Sequence, residues 1–192
     1  MNYMFKNALV LLFLVFGSTC LLAQNGLNVY AGISQAKSGD TALTPDGQSH
    51  KGYFLGADAR LNRGNMYFIL SGQYHVISLL ADEDAAFFSV EDKMTWAKLR
   101  FGLGYTIVNF SEKVALRAKT LLCLNLIGAA DDVEGAPYEV YNAGTAGGHL
   151  GLGLDFYAFT FDVEYEKGFF TAVNMVDNTG FDFLTVAVGV KF

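Results

Sequence analysis

The feature that most limits the fold is an alternation of apolar and polar side chains that recurs along most of the chain. In the last segment, one phase holds Leu184, Val186, Val188, Val190 and Phe192, while the other holds mostly small or polar residues. A repeat of two residues indicates a β-strand, because successive side chains of a strand point to opposite faces. The sequence therefore predicts a chain built from strands.

Eight such segments follow one another, most of them about ten residues long, which is the length that a tilted strand needs to cross a membrane. Their apolar phases begin near residues 27, 53, 68, 99, 114, 150, 159 and 184. Short connections near 62–65, 109–112 and 157–158 alternate with long ones near 35–50, 80–93, 129–141 and 170–180. This order predicts an antiparallel up-and-down meander with its short turns at one end.

Composition indicates how the meander closes. Hydrophobic residues make up 52% of the 192 residues, charged residues make up 17%, and the mean hydropathy is +0.29. After the first two dozen residues, however, no run of about 18 apolar residues could form a spanning helix. A closed barrel is the remaining way to satisfy the backbone inside a membrane. We therefore predict an all-β, eight-stranded transmembrane β-barrel.

The first 23 residues are predicted to be a secretory signal peptide, with Lys6 before an apolar stretch at 8–16 and a cleavage site after Ala23. Residues 24–192 would then form the barrel domain. A competing interpretation, lipidation at Cys20, lacks the leucine usually found three residues earlier. Losing Lys6 takes the formal net charge from −6 to −7, which argues against nucleic acid as a partner.

Alternation alone does not say which phase faces inward. The interior of an eight-stranded barrel is just wide enough for side chains to fill. Seven glycines fall on the polar phase: Gly32, Gly56, Gly102, Gly104, Gly151, Gly153 and Gly189. The large apolar side chains of the other phase would overfill that interior, so we expect them to face lipid. The reverse arrangement, a soluble exported lipocalin-like barrel that binds a small apolar ligand, is the alternative.

With the polar phase inside, charged side chains converge in the lumen. The predicted lumen charge network comprises Asp58, Arg60, Lys98, Arg100, Arg117, Lys119, Asp155, Asp162, Glu164, Glu166 and Lys191. Six cations and five anions nearly balance, so we expect salt bridges that fill the bore rather than line a pore. An ion path or proton relay is the functional alternative. His75 and His149 are also expected inside, as hydrogen-bonded residues rather than metal ligands, and we expect no cofactor.

The strand ends and long connections have their own patterns. Twelve of the nineteen acidic residues fall in the long connections: Asp40, Asp46, Asp82, Glu83, Asp84, Glu91, Asp92, Asp131, Asp132, Glu134, Glu139 and Asp177. Such a rim could bind divalent cations or a basic extracellular partner, or could simply be a solvated surface. Aromatic residues near the strand ends could form interfacial girdles, with some of them simply packing against neighbours: Tyr30, Tyr53, Tyr67, Trp96, Phe110, Tyr141, Tyr157, Phe169, Phe170, Phe181 and Phe192.

Residues 26–192 resemble the small outer-membrane β-barrel proteins of Gram-negative bacteria. The resemblance is closest to the Bacteroidetes outer-membrane β-barrel domain family, the PorT-like or OmpX-like barrels. Its sharpest element is the terminal Phe192 with the alternating Leu184, Val186, Val188 and Val190, which looks like a C-terminal assembly signal. The resemblance implies export to the outer membrane, contact with its lipid, and handling by periplasmic chaperones and the barrel assembly machinery. It carries no residue over to a role in protein secretion.

Enzymatic activity is not expected. Some eight-stranded outer-membrane barrels modify lipid A with serine, histidine and carboxylate groups at the membrane edge. In this chain His75 and Ser78 are three residues apart and so lie on opposite faces of a strand, and His149 has no adjacent serine. We expect a structural or loop-presenting envelope component.

Overall fold

The computed structural model describes residues 26–41, 43–79, 81–82, 86–88, 92–130, 143–173 and 179–192. Within them, eight antiparallel strands pair in chain order and close into one barrel through β1 and β8. The strands are β1 (Leu27–Ser38), β2 (His50–Arg63), β3 (Met66–Ser78), β4 (Lys93–Ser111), β5 (Val114–Ala130), β6 (Gly144–Phe156), β7 (Phe159–Gly168) and β8 (Phe181–Lys191). The predicted all-β eight-stranded barrel is confirmed. The predicted signal peptide lies outside the described residues.

Two-residue turns join β2 to β3, β4 to β5, and β6 to β7. Gly64 and Tyr157 have positive φ angles of 69° and 59° in these turns. Glycine adopts that conformation without steric cost, whereas Tyr157 is an uncommon case of a larger residue in this region. We call this end of the barrel the turn end and the opposite one, where the long connections lie, the loop end. No helix in the described part of the chain is long and apolar enough to span a membrane.

The two phases of the strands face as the glycine pattern predicts. Large apolar side chains cover the outer wall, with Leu55 62% exposed and Leu150 63% exposed. Charged side chains of the other phase are buried, and Arg100 is only 1% exposed. Glycines on the inward phase leave space for the large side chains of the interior. A Cβ at Gly56 would collide with the Tyr30 ring, and a Cβ at Gly104 would collide with the Tyr67 ring.

The girdle prediction is wrong for four aromatic residues. Tyr30, Tyr67, Trp96 and Phe181 lie buried inside the barrel, because each belongs to the inward phase of its strand. Proximity to a strand end was a weaker guide than phase. Exposed aromatic residues do lie near the barrel ends at Phe110, Tyr157, Phe169, Phe170 and Phe192. Tyr141 lies outside the described residues.

Candidate functional site

The lumen is the candidate site, and β7 supplies its anionic side. Asp162, Glu164 and Glu166 alternate with outward-facing residues, so all three carboxylates point inward and are buried. The facing strands β4 and β5 carry cations on their inward phases. Lys119 on β5 bridges two of the carboxylates, with its Nζ 2.9 Å from Asp162 Oδ1 and in contact with Glu164 Oε1.

Glu164 is the centre of the network. Arg100 Nη1 donates to its Oε2 at 2.7 Å, and His149 Nε2 lies 3.0 Å from the same oxygen. Arg100 Nη2 also donates to the Tyr30 hydroxyl at 2.8 Å. A single guanidinium therefore connects the carboxylate on β7 to a side chain on β1, across the middle of the bore.

Asp155 gathers three cations near the turn end. Arg117 Nε donates to Asp155 Oδ1 at 2.6 Å, and Lys191 Nζ donates to Oδ2 at 3.0 Å. Arg60 Nη1 lies 3.4 Å from Asp155 Oδ1, while its Nε donates to Asp58 at 2.9 Å. The pairing partners come from β2, β5, β6 and β8, so this cluster joins strands that are far apart in the chain.

The network ends toward the loop end at Lys98. Its Nζ donates to Glu166 Oε2 at 2.7 Å, and Asn125 Nδ2 donates to Oε1 at 2.6 Å. The same Nζ lies 3.2 Å from the centroid of the Phe183 ring, which makes it a cation–π contact as well. With this pair, the structure places all eleven charged residues of the predicted network on the inner face, each in at least one ion pair.

Above Lys98 the lumen filling changes to apolar and aromatic side chains, which we call the loop-end plug. Its rings meet edge to face, with Trp96 5.6 Å from Phe181 and 5.3 Å from Phe183 between centroids. The other buried members are Ala36, Ile77, Leu79, Met94, Ile127, Ala172 and Val173. The plug was not predicted from the sequence, although the inward phase of Trp96 and Phe183 was a usable signal. Ala172 and Val173 follow β7, outside any strand pattern.

The lumen histidines are enclosed rather than arranged for metal binding. His75 stacks on Phe54 at 4.6 Å between ring centroids and lies 5.7 Å from Phe183, while His149 is paired with Glu164. Among the described residues, no group of three or more His, Cys, Asp or Glu could hold a metal ion. The ion pairs of the lumen can hold the charged side chains of different strands in fixed positions across the bore.

The structure describes part of the acidic rim and all of the C-terminal strand. Asp40, Asp46, Asp82 and Asp92 lie in described connections, and the other eight predicted rim acids lie outside the described residues. Lys37 and Lys93 fall within the connections predicted near 35–50 and 80–93, but they belong instead to the ends of β1 and β4. The outward phase of β8 carries Leu184, Val186, Val188 and Val190, and Phe192 is exposed at the turn end. The backbone nitrogen of Phe192 donates to Leu27 O at 2.8 Å.

No protein-family model matches this chain, and no curated protein matches its sequence. Among solved structures, it is similar to the crystal structure of Neisserial surface protein A (NspA). The two are 17% identical with a TM-score of 0.59, over 88% of this chain and 98% of NspA. The crystal structure of Ail, the attachment invasion locus protein of Yersinia pestis in complex with the heparin analogue sucrose octasulfate, gives 14% identity and a TM-score of 0.44, over 88% and 100% of the two chains. The likeness to NspA is one of fold: both chains form the same kind of barrel.

Proposed function

We propose that this chain is an integral outer-membrane barrel that acts as a structural or loop-presenting component of a Gram-negative envelope, not as a diffusion pore. The observation that carries the proposal is the orientation of the wall. Apolar side chains point outward on the strands, while the ionic side chains of the opposite phase are sealed inside. Hydrocarbon accommodates such a wall, because a closed barrel leaves no backbone edge unpaired.

The filled lumen supports the part of the proposal that excludes a pore. Side chains from opposite strands meet across the bore at hydrogen-bond distance, as Arg100 does with Glu164 and Tyr30. The loop-end plug then covers the charged half with buried rings. An ion path or proton relay through this bore would require breaking buried ion pairs, which is strongly unfavourable.

The soluble lipocalin-like alternative is disfavoured by the same orientation. A lipocalin-like barrel holds its ligand in an apolar lumen and turns polar residues outward. In this barrel the middle of the lumen is occupied by Arg100, Lys119 and Glu164, while residues such as Leu55 and Leu150 face outward.

Export and assembly complete the proposal. A signal peptide at 1–23 and the alternating β8 ending at Phe192 fit a PorT-like outer-membrane barrel that passes periplasmic chaperones and the barrel assembly machinery. β8 closes the barrel against β1, so the proposed signal lies on a strand whose pairing completes the fold. The fold shared with a Neisserial surface protein also supports an envelope location. We expect no enzymatic activity, and we assign the binding of any extracellular partner to the acidic connections at the loop end.

Membrane extraction tests the proposal directly. We expect the protein to remain with the outer membrane through salt and carbonate washes and to be released by detergent. On a gel, the unheated protein should migrate differently from the heated protein, because a closed barrel resists unfolding by detergent. Release without detergent would support the soluble alternative and overturn the proposal.

Removing the terminal Phe192 tests the assembly signal. We expect less assembled barrel in the outer membrane, because the terminal aromatic residue is the sharpest element of the resemblance. Phe170→Ala removes an exposed ring at the opposite end of the barrel, the loop end; it is the matched control and should assemble normally. Normal assembly without Phe192 would contradict the assignment of the signal.

A further inference from the structure

The outer wall between β4 and β7 is not uniform. A groove of about 580 Å³ lies near its loop end. Small residues, Thr120 on β5 and Gly148 on β6, lie in the groove between larger side chains such as Leu122 and Leu150. The ring of Phe169 packs over Gly148, where a Cβ would collide with it. The wall therefore has a depression bounded by an aromatic ring at its loop end.

A second groove continues this depression toward the turn end. It has a volume of about 340 Å³ and shares Leu150 and Tyr165 with the first. Leu152 and Val163, lower on β6 and β7, line it. Together the two grooves form an apolar track along the barrel wall, in the direction that a lipid acyl chain takes in a membrane.

Lys167 lies at the loop-end mouth of the track. Its Nζ donates to Asp182 Oδ2 at 2.7 Å, and its side chain is 62% exposed against 24% for Asp182. The carboxylate of Asp182 also accepts from the Tyr165 hydroxyl at 2.9 Å and from the Gly168 backbone nitrogen at 3.1 Å. The ammonium is therefore the more exposed end of this pair, and an ammonium has three donors, of which the contact with Asp182 uses one.

Other outward-facing lysines lie at the same level of the barrel. Lys37 on β1, Lys51 on β2 and Lys93 on β4 occupy the loop ends of their strands, on the apolar phase. Lys113 lies at the turn end, in the turn between β4 and β5 and not on a strand, with its Nζ 5.2 Å from the centroid of the Tyr157 ring. Among the described side chains on the strands, outward cations therefore border the apolar wall at the loop end, where one leaflet places its head groups.

We propose that the track binds one acyl chain of a lipid whose anionic phosphate head group is held by Lys167. A lysine ammonium binds phosphate as a point charge. Burial of the chain against Leu122, Leu150 and Tyr165 supplies the apolar part of the affinity. The requirement for both parts selects a lipid over free phosphate. This inference rests on the proposed membrane location.

Lipid retention by the folded barrel tests the head-group contact. The mature chain, folded in a neutral detergent, is mixed with equal amounts of phosphatidic acid and phosphatidylcholine of identical acyl chains, and bound lipids are counted by native mass spectrometry. We expect phosphatidic acid to be retained in preference. Lys167→Gln should lower that preference about fivefold, the change expected for one lysine at an anionic lipid surface. Lys113→Gln, at the turn end, is the charge-matched control and should keep it.

A second pair of variants tests the track. Thr120→Trp fills the depression and should lower retention of both lipids, whereas Ala31→Trp, on the outer face of β1, should not. Equal retention of the two lipids by the unaltered chain, or equal effects within either pair of variants, would overturn the inference. Insertion of the unaltered chain into phosphatidylcholine vesicles separates the two proposals. Failure to insert would overturn the membrane proposal, whereas insertion without lipid preference would overturn this inference alone.

Discussion

The turn-end and loop-end halves of the lumen solve the same packing problem with different chemistry. The turn-end half contains ion pairs around Asp155 and Glu164, together with a small apolar cluster of Tyr67, Ile69 and Leu121. The loop-end half is filled by the rings of Trp96, Phe181 and Phe183 with smaller apolar residues. Lys98 lies at the boundary and takes part in both, pairing with Glu166 and lying over the Phe183 ring.

The difference follows from what each end of the barrel has available. At the turn end the connections are two residues long, so the strands alone must fill the bore. At the loop end the longer connections also contribute, with Leu43 before β2 and Ala172 and Val173 before β8. The two halves should also respond differently to substitution. Buried ion pairs are costly to break but add little net stability, whereas apolar packing stabilises in proportion to what is buried.

Glu164→Gln should have the largest effect and would test the ionic half. The amide keeps the shape of the side chain but leaves Arg100 and Lys119 without their shared anion. We expect a loss of about 3–5 kcal/mol in the free energy of unfolding. Guanidinium unfolding in detergent micelles, followed by far-ultraviolet circular dichroism, measures it. Asp182→Asn removes the anion from a more exposed pair and should cost less than about 1 kcal/mol. Equal losses would show that burial does not distinguish the two sites.

Phe183→Leu should have an intermediate effect and would test the plug. It removes the ring that meets Trp96 and lies over Lys98. We expect a loss of about 2 kcal/mol in the free energy of unfolding. Trp96 is the chain's single tryptophan, so its fluorescence reports on the plug while circular dichroism reports on the strands. We expect the fluorescence transition to move to lower denaturant. Phe161→Leu, on the outer face of β7, is the control and should change stability by less than about 0.5 kcal/mol. An unchanged fluorescence transition in Phe183→Leu would contradict the role of the plug.

The double variant Lys98→Met with Glu166→Gln should have the smallest effect and would sharpen the boundary. Each single change removes one side of a buried ion pair, whereas the double change leaves no unpaired charge, and the glutamine can still accept from Asn125. We expect the double variant to unfold within about 1 kcal/mol of the unaltered protein and each single variant to be less stable. Additive losses in the double variant would show that the two side chains are not coupled and would contradict this prediction.

Much of the ionic half could be predicted from the sequence, because a two-residue period assigns each charged side chain to a face. The glycines of the same phase then indicated that this face was the crowded one. The pairing partners could not be predicted. Arg60 and Asp155 are 95 positions apart, and their meeting depends on the curvature of the closed barrel. Alternation within a strand contains no information about contacts across the lumen.

The loop-end plug, in contrast to the ionic half, could not be predicted from the sequence. Trp96 and Phe183 could be assigned to the inward phase, but their proximity to strand ends favoured a girdle for Trp96. Ala172 and Val173 follow no period, so no local pattern could assign them to the plug. The sequence by itself determined the eight strands, their order and which face of each is apolar, because these depend on local side-chain periodicity and turn length. Only the tertiary structure decided which charges pair and where rings replace them, because closure brings together strands that are distant along the chain.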